Sequence, residues 1–163
     1  MKISKEGALF IQTREGYKTD AYQDGAGIWT IGYGHTGKEV KKGMVITKQE
    51  ADSLFLKDIE LFEKELESLL EYPVKQYMFD AMLSLMYNIG YGAFKNSSLL
   101  RELNKNKGIG TEIIAKYFLL FNKITVRGVK KVSNGLMRRR EAESIIFING
   151  DYECKSSCWY PVV

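Results

Sequence analysis

The sequence predicts an α+β fold, in which a small N-terminal lobe with a short antiparallel sheet is joined by one long helix to a larger helical lobe. Between Tyr22 and Val45, six glycines alternate with short aromatic and β-branched runs, which excludes a stable helix and favours strands. From Thr47 onward, apolar residues recur every three or four positions, as on one face of a helix. We expect one domain over residues 1–163, with lobes at about 15–60 and at 1–14 plus 70–163.

The first element is a short helix. Ser4 can cap its N-terminus and Gly16 can end it, so Glu15 falls at the helix C-terminus. The strands follow, because "IWTIGY" combines aromatic and β-branched residues and the Asp24-Gly25 pair is a turn signal.

The long helix begins at a capping box. "TKQE" at Thr47 has the required spacing, and the helix should run to about Leu70. Its apolar stripe consists of Phe55, Ile59, Phe62, Leu66 and Leu69.

The larger lobe should be built from further helices. Pro73 can occupy the first turn of the next helix, and "VKQYMFDAMLSLMYNIG" is apolar nearly all round, which predicts the buried central helix. More helices are expected over 98–105, 111–123 and 136–148, the last ended by Gly150.

Composition limits the class of protein. With 45% hydrophobic and 27% charged residues the chain resembles a globular protein, and no apolar run approaches the ~18 residues of a membrane span. The start, "MKISKEGALFIQTREG", is too polar for a secretory signal, so we expect none.

Charge divides unevenly along the chain. Residues 1–87 carry 11 Lys/Arg against 14 Asp/Glu, and residues 88–163 carry 13 against 6. The basic half favours an anionic partner such as nucleic acid, anionic lipid or the bacterial cell wall, although a solvated surface that maintains solubility explains it equally well.

The two cysteines lie near the C-terminus, in "CKSSC". A zinc site would need more ligands, and the single histidine, His35, is distant in sequence, so we expect no metal. Cys154 and Cys158 are expected either to form a small disulfide or to remain two thiols.

Glu15, Asp24 and Thr30 together fit the cleavage of a sugar polymer. Glycoside hydrolysis needs a proton donor and a second group on the opposite face of the sugar. The partial negative charge at a helix C-terminus disfavours an ionised carboxylate, which suits Glu15 to the acid role. Asp24 in a polar turn should stay ionised, and the short hydroxyl of Thr30 can hold the attacking water. Taken alone, a Glu at a helix end and an Asp in a turn are usually solvated surface residues.

Three segments carry a family resemblance. The spacing of Glu15, Asp24 and Thr30 followed by "IGYGHTG", then "MLSLMYNIGYGAFKNSSLLRELN", then "NGLMRRREAESIIF" resemble phage-type lysozymes, glycoside hydrolase family 24. The resemblance covers about residues 5–150 and implies a lysozyme-like fold and a muramidase that needs no cofactor.

The resemblance also implies roles for individual residues. Glu15 becomes the general acid, and Asp24 and Thr30 position water on the opposite face. His35 orders the sheet and the wall of the substrate site. The remaining implied residues are looser transfers, namely Tyr87, Asn88 and Ser97 in substrate binding and Arg139 or Arg140 as an ion-pair partner of Glu15.

The expected function is hydrolysis of the β-1,4 bond between N-acetylmuramic acid and N-acetylglucosamine in peptidoglycan. We expect a monomer of a phage or prophage endolysin that waits in the host cytoplasm, with no nucleic-acid partner, no membrane insertion, and an inhibitor or immunity protein as a conceivable partner. The alternatives are a secreted antibacterial effector with the same domain, or a non-catalytic module that binds peptidoglycan or a partner protein.

Overall fold

The computed structural model describes residues 1–105, 110–126 and 128–154. It confirms a mixed α+β fold, whose helices and strands are, in chain order, α1 (Lys5–Glu15), β1 (Lys18–Gln23), β2 (Trp29–Gly32), β3 (His35–Thr36), α2 (Lys48–Leu69), α3 (Gln76–Ile89), α4 (Tyr91–Lys95), α5 (Ser98–Lys105), α6 (Thr111–Ala115), a 3₁₀ helix (Lys116–Leu120), β4 (Lys123–Val126), β5 (Val129–Val132) and α7 (Asn134–Asn149). Two compact units result: Leu9–Leu61, called the sheet unit below, and Met1–Ala8 with the described residues from Phe62 onward, called the helical unit.

The sheet unit contains a three-stranded antiparallel sheet in the order β1-β2-β3. Tyr22 of β1 lies opposite Thr30 of β2, and Thr30 lies opposite Thr36 of β3. Cross-strand partners share one face of a sheet, so this register places the three side chains on the same side.

The predicted ends of α1 are confirmed. The Ser4 hydroxyl oxygen accepts a hydrogen bond from the Gly7 amide at 2.9 Å, which caps the helix N-terminus. Gly16 follows the helix with φ of +62°, a conformation that glycine adopts without steric cost. Glu15 is therefore the last residue of α1.

The predicted capping box of α2 is also confirmed. The Thr47 hydroxyl oxygen accepts from the Glu50 amide at 3.2 Å, and the Glu50 carboxylate accepts from the Thr47 amide at 2.7 Å. Two amides that the first helical turn cannot satisfy thereby gain partners. Of the predicted apolar stripe, Phe55, Ile59 and Leu66 are fully buried.

The helical unit has α3 at its centre. Every residue from Met78 to Met86 is buried, as the apolar sequence predicts. Helix α7 ends at Gly150, which has the left-handed conformation expected of a helix stop. Pro73, however, lies three residues before α3, so it does not occupy the first helical turn. Lys75 is the N-cap residue there, with an extended backbone.

The predicted helix over 111–123 is wrong in its second half. Helix α6 ends at Ala115, the 3₁₀ helix ends at Leu120, and Lys123 already belongs to β4. Strands β4 and β5 form an antiparallel hairpin that the sequence reasoning did not anticipate. Its signal is the β-branched content of "ITV" and "VKKV" on either side of Gly128, which has φ of +78°.

Asp80 joins both ends of the described chain. Its carboxylate accepts from the Ser4 amide at 3.2 Å, from the Ser4 hydroxyl, from the Gln76 amide nitrogen at 2.8 Å and from the Tyr152 hydroxyl at 2.5 Å. Burial, and then the hydrogen bond to Asp80, raise the pKa of Tyr152 well above its ordinary value. The turn after α7 is thereby attached to the start of α1.

We expect Tyr152→Phe to lower the free energy of unfolding by about 2 kcal/mol, because a hydrogen bond to a buried carboxylate is lost. Urea unfolding measures the change. Tyr91→Phe is the matched control, since the Tyr91 ring packs with the Lys95 ammonium through its face. Equal stabilities of the two variants would contradict the proposed contribution of the Tyr152–Asp80 bond.

Two expectations concern the chain ends and membranes. Cys158 lies outside the described residues, so the expected Cys154–Cys158 disulfide or thiol pair stays open. Among the described helices, none combines the length and apolar character needed to cross a bilayer.

Candidate active site

Glu15 occupies the position at which α1 gives way to the sheet. The chain turns at Gly16 and enters β1 at Lys18, so only two residues separate the carboxylate from the first strand. The side chain is half-buried. Its place at the C-terminal end of the helix is the one that the sequence predicts.

Asp24 sits in a tight loop between β1 and β2, and it organises that loop. Its Oδ1 atom accepts from the backbone amides of Ala26 at 2.8 Å and Ile28 at 2.9 Å. The Asp24 amide donates to the Ile28 carbonyl at 3.0 Å, and the Gly27 amide donates to the Asp24 carbonyl at 3.0 Å. The carboxylate orientation is therefore determined by its own loop.

Thr30 follows in β2 and is only 4% exposed. Its hydroxyl donates to the Ile28 carbonyl at 3.0 Å. Because a hydroxyl has one hydrogen and two lone pairs, the Thr30 oxygen can still accept a hydrogen bond. The backbone of Ile28 thus forms hydrogen bonds with both Asp24 and Thr30.

Tyr22 was not predicted as a site residue, yet it lies near both carboxylates. Its pKa is raised, first by burial and then by the negative charges of Glu15 and Asp24. The Lys18 ammonium lies 3.9 Å from the centre of the Tyr22 ring. That Tyr22 lies two positions before Asp24 was visible in the sequence, but the pairing of Tyr22 with Thr30 depends on the strand register. The sheet unit therefore brings Glu15 and Asp24 to one aromatic side chain.

His35 joins β3 to α2. Nδ1 lies 2.9 Å from both carboxylate oxygens of Asp58, and Nε2 lies 2.9 Å from Glu39 Oε1. Burial by itself lowers the pKa of His35, but the hydrogen bonds to Glu39 and Asp58 outweigh burial, so the pKa is raised. These contacts agree with the sheet-ordering role that the resemblance implies, and a role of His35 in substrate binding stays a prediction.

The His35 contacts predict a pH-dependent stability. A raised folded-state pKa means that protonated His35 stabilises the fold; this contribution is present below the unfolded value of ~6.5 and disappears as pH rises through the folded value. His35→Gln should therefore lower the melting temperature more at pH 6 than at pH 9. His35 is the only histidine, so no other imidazole contributes. An equal fall in melting temperature at both pH values would show that protonated His35 does not stabilise the fold.

The predicted binding residues of the helical unit have distinct surroundings. The half-buried Tyr87 packs on Phe62 with ring centres 5.4 Å apart, and Asn88 at the end of α3 is exposed. Ser97 is buried, and its hydroxyl oxygen accepts from the Leu100 amide at 3.1 Å, which caps α5. Ser97 thus has a structural task, and its part in substrate binding stays a prediction.

Arg139 and Arg140 share one buried carboxylate, Glu143. Arg139 Nε lies 3.0 Å from Glu143 Oε1, and Arg140 Nε lies 3.0 Å from Glu143 Oε2. The Ser84 hydroxyl donates to the same carboxylate at 2.7 Å. Burial raises the pKa of Glu143, and the charges of Arg140 and Arg139 oppose that rise. Support of Glu15 by either arginine stays a prediction.

The sequence reasoning did not predict Glu143 as a partner of these arginines, although its spacing from them in the sequence indicates the contact. Residues three and four positions apart lie on the same face of a helix, so Glu143 can reach both Arg140 and Arg139. Arg140 also donates from a terminal nitrogen to the Asn88 Oδ1 atom at 3.1 Å. The side-chain oxygen of Asn88 is thus occupied by a group that can only donate.

In the described part of the chain, no three His, Cys, Asp or Glu side chains lie close enough together to bind a metal ion.

Comparisons with known proteins identify a sequence family. The phage lysozyme family model matches residues 12–143. The endolysin of Bacillus phage B103 is 39% identical over 93% of this chain, which spans 56% of that protein. The endolysin of Salmonella phage P22 is 38% identical over 91% of this chain and 99% of its own length.

A solved structure is also similar to this chain. The muramidase domain of SpmX from Asticaccaulis excentricus superposes with a TM-score of 0.82 and is 32% identical, covering 91% of this chain and 98% of that domain.

Proposed function

The chain belongs to the phage lysozyme family and is a peptidoglycan-degrading muramidase, and from this premise we propose that Glu15, Asp24 and Thr30 carry its chemistry. The scissile bond in this proposal is the β-1,4 bond between N-acetylmuramic acid and N-acetylglucosamine. Glu15 donates a proton to the departing oxygen, and Asp24 with Thr30 directs water to the opposite face of the sugar.

The hydrogen bonds around Ile28 support the role of Asp24 and Thr30. The Thr30 hydroxyl donates a hydrogen bond to the Ile28 carbonyl. The Thr30 oxygen can therefore accept a hydrogen bond from the attacking water. Both amides that bind Asp24 do so at Oδ1. In the proposal, Asp24 Oδ2 accepts a hydrogen bond from the second hydrogen of the same water. The two hydrogen bonds fix the direction in which the water attacks.

The negative charge of Asp24 has a second task in the proposal. As the glycosidic bond breaks, the sugar develops positive charge, and a fixed carboxylate stabilises it without rearrangement. Two local amide hydrogen bonds keep this carboxylate in place before substrate arrives, which is the preorganisation that such stabilisation requires.

The predicted residues of the helical unit have supporting roles in this proposal. Arg139 or Arg140 supports Glu15 as an ion-pair partner. In the proposal, the Asn88 side-chain oxygen accepts from Arg140, and its amide hydrogens bind an acceptor such as an N-acetyl carbonyl. Tyr87, Ser97 and His35 complete the proposed substrate-binding set.

We further propose that the enzyme is a monomeric endolysin that is made in the host cytoplasm and acts on the cell wall after release. Its proposed protein partner is an inhibitor or immunity protein. A secreted antibacterial effector would use the same chemistry, so it differs from this proposal in delivery and not in reaction.

The observation that carries the proposal is the single loop that fixes Asp24 and Thr30 through Ile28, next to the helix end that bears Glu15. Loss of turbidity of outer-membrane-permeabilised Gram-negative cells tests lysis. Mass analysis of the released fragments then tests the reaction, because hydrolysis leaves reducing muramic ends. Anhydro-muramic ends would identify a lytic transglycosylase and contradict the proposal.

We expect Asp24→Asn to lower the rate of lysis about 10²-fold, because the charge that stabilises the developing positive sugar is lost. The asparagine oxygen can still accept from Ala26 and Ile28, so the loop and the melting temperature should be preserved. Asp20→Asn, at an exposed position of β1, is the matched control. Near wild-type lysis by Asp24→Asn, measured on purified peptidoglycan, would exclude an essential charge at this position.

A further inference from the structure

The β4–β5 hairpin exposes apolar side chains on a surface that the proposed chemistry does not use. All of its described side chains, at residues 123–125 and 129–132, are exposed. Ile124, Val129 and Val132 are 45%, 57% and 54% exposed. Single exposed aliphatic residues are common, but here three lie within ten residues of one hairpin.

The register divides the hairpin into two faces. Ile124 lies opposite Lys131, and Val129 lies two positions before Lys131 on the same strand. Ile124, Val129 and Lys131 therefore share one face. Lys123, Lys130 and Val132 share the other face by the same reasoning. The first face thus combines two aliphatic side chains with one ammonium group, and the second combines one aliphatic side chain with two ammonium groups.

The charge of the hairpin has one sign. Between Lys123 and Val132 the sequence has four basic residues and no acidic residue. The exposed ammonium groups therefore have no carboxylate within their own hairpin. A cationic surface of this kind attracts anionic partners.

Strand formation alone does not require this composition. Threonine has high strand propensity and tolerates water, and Thr125 shows that the hairpin accepts it. Ile124 and Val129 add aliphatic surface that a free hairpin leaves in water, where it contributes nothing to stability.

We propose that the β4–β5 hairpin is a docking surface for an anionic lipid bilayer. The hairpin would lie in the interfacial region, with Ile124 and Val129 at the boundary between headgroups and acyl chains. The long stem of Lys131 allows its ammonium to reach the lipid phosphates from the same face. Lys123 and Lys130 add electrostatic attraction from the other face.

A bilayer fits better than a soluble polyanion. A polymer of phosphate or carboxylate groups would satisfy the lysines, but it would leave the aliphatic side chains in water. An anionic bilayer offers an apolar layer directly beneath a plane of negative charge, and so it matches both parts of the surface.

Sedimentation of the full chain with lipid vesicles tests the proposal. One set of vesicles contains phosphatidylglycerol with phosphatidylethanolamine, and the other contains phosphatidylcholine alone. The first variant, Lys130→Gln with Lys131→Gln, removes two charges. The second, Ile124→Thr with Val129→Thr, removes aliphatic surface while keeping residues that favour strands.

The matched controls lie in the sheet unit. Lys41→Gln with Lys42→Gln removes the same charge from another exposed segment, and Val45→Thr alters a valine that is 65% exposed. Melting temperatures of all variants should equal that of the wild type, which verifies that each is folded.

We expect the wild type to bind the anionic vesicles and not the phosphatidylcholine vesicles. The double lysine variant should bind about 25-fold more weakly, since each lysine near such a surface contributes roughly fivefold. The threonine variant should bind about tenfold more weakly, because its aliphatic groups no longer leave water. Each control should change binding less than about twofold.

Three results would overturn the proposal. Equal binding to both kinds of vesicle would exclude recognition of anionic lipid. Equal losses in the hairpin variants and the Lys41/Lys42 control would assign binding to net charge. Wild-type binding by the threonine variant, together with equally tight binding of soluble polyphosphate by the wild type, would assign the hairpin to a polyanion instead.

Discussion

Glu15→Gln should lower the rate of cell-wall lysis by at least ~10²-fold, the low end of general-acid contributions. Glutamine keeps the shape and nearly the volume of glutamate but has no transferable proton. The departing sugar oxygen would then leave as an unprotonated alkoxide, which is a poor leaving group. Turbidity loss and release of soluble fragments from purified peptidoglycan both measure the effect.

The control for this substitution lies on the same helix. Glu6 is the other carboxylate of α1 and is exposed, so Glu6→Gln makes the same chemical change away from the proposed site. Its activity should stay within about twofold of the wild type, as for ordinary surface substitutions. Retention of near wild-type lysis by a folded Glu15→Gln protein would show that another group donates the proton.

Glu143→Gln should destabilise the protein by about 3–5 kcal/mol, because two buried guanidinium groups lose their shared counter-charge. Arg140 and Glu143 are 0% exposed and Arg139 is 6% exposed, so water cannot replace the missing carboxylate. For a chain of this size the melting temperature should fall by roughly 10 °C. Calorimetry or circular dichroism measures the shift.

Glu141→Gln is the matched control, since Glu141 is exposed and lies two residues earlier on α7. It should change the free energy of unfolding by less than about 0.5 kcal/mol. If Glu143→Gln has the same melting temperature as the control, the arginines have enough other hydrogen-bond acceptors. The Ser84 carbonyl, 3.3 Å from Arg139, and Asn88 would then be the first candidates.

Features determined by neighbouring residues could be predicted from the sequence. The Ser4 cap, the Thr47–Glu50 capping box and the stop at Gly150 each depend on residues within four positions. The interval from Glu15 through Asp24 to Thr30 was also visible, but its assignment to glycoside hydrolysis depended on the family resemblance. Spacing by itself would equally have fitted surface carboxylates.

Features determined by distant partners could not be predicted. His35 of β3 contacts Asp58 of α2 across 23 positions, and Ser84 of α3 contacts Glu143 of α7 across 59, because the fold brings these elements together. Lys123 was assigned to a helix, since it has good helix propensity and nothing local shows which strand it will pair with. Cross-strand and interhelical pairs become visible only when the packing is known.

The hydrogen bonds around Ile28 imply that position 28 tolerates substitution, whereas the loop does not tolerate insertion. The Ile28 peptide binds the Asp24 carboxylate through its amide, and its carbonyl accepts from both the Asp24 amide and the Thr30 hydroxyl. The Ile28 side chain is 52% exposed, so most residues other than proline should be accepted there. One added residue between Asp24 and Thr30 would separate the two side chains from the peptide that they share. In a library of variants, position 28 should therefore vary in residue type while the length of the loop stays constant.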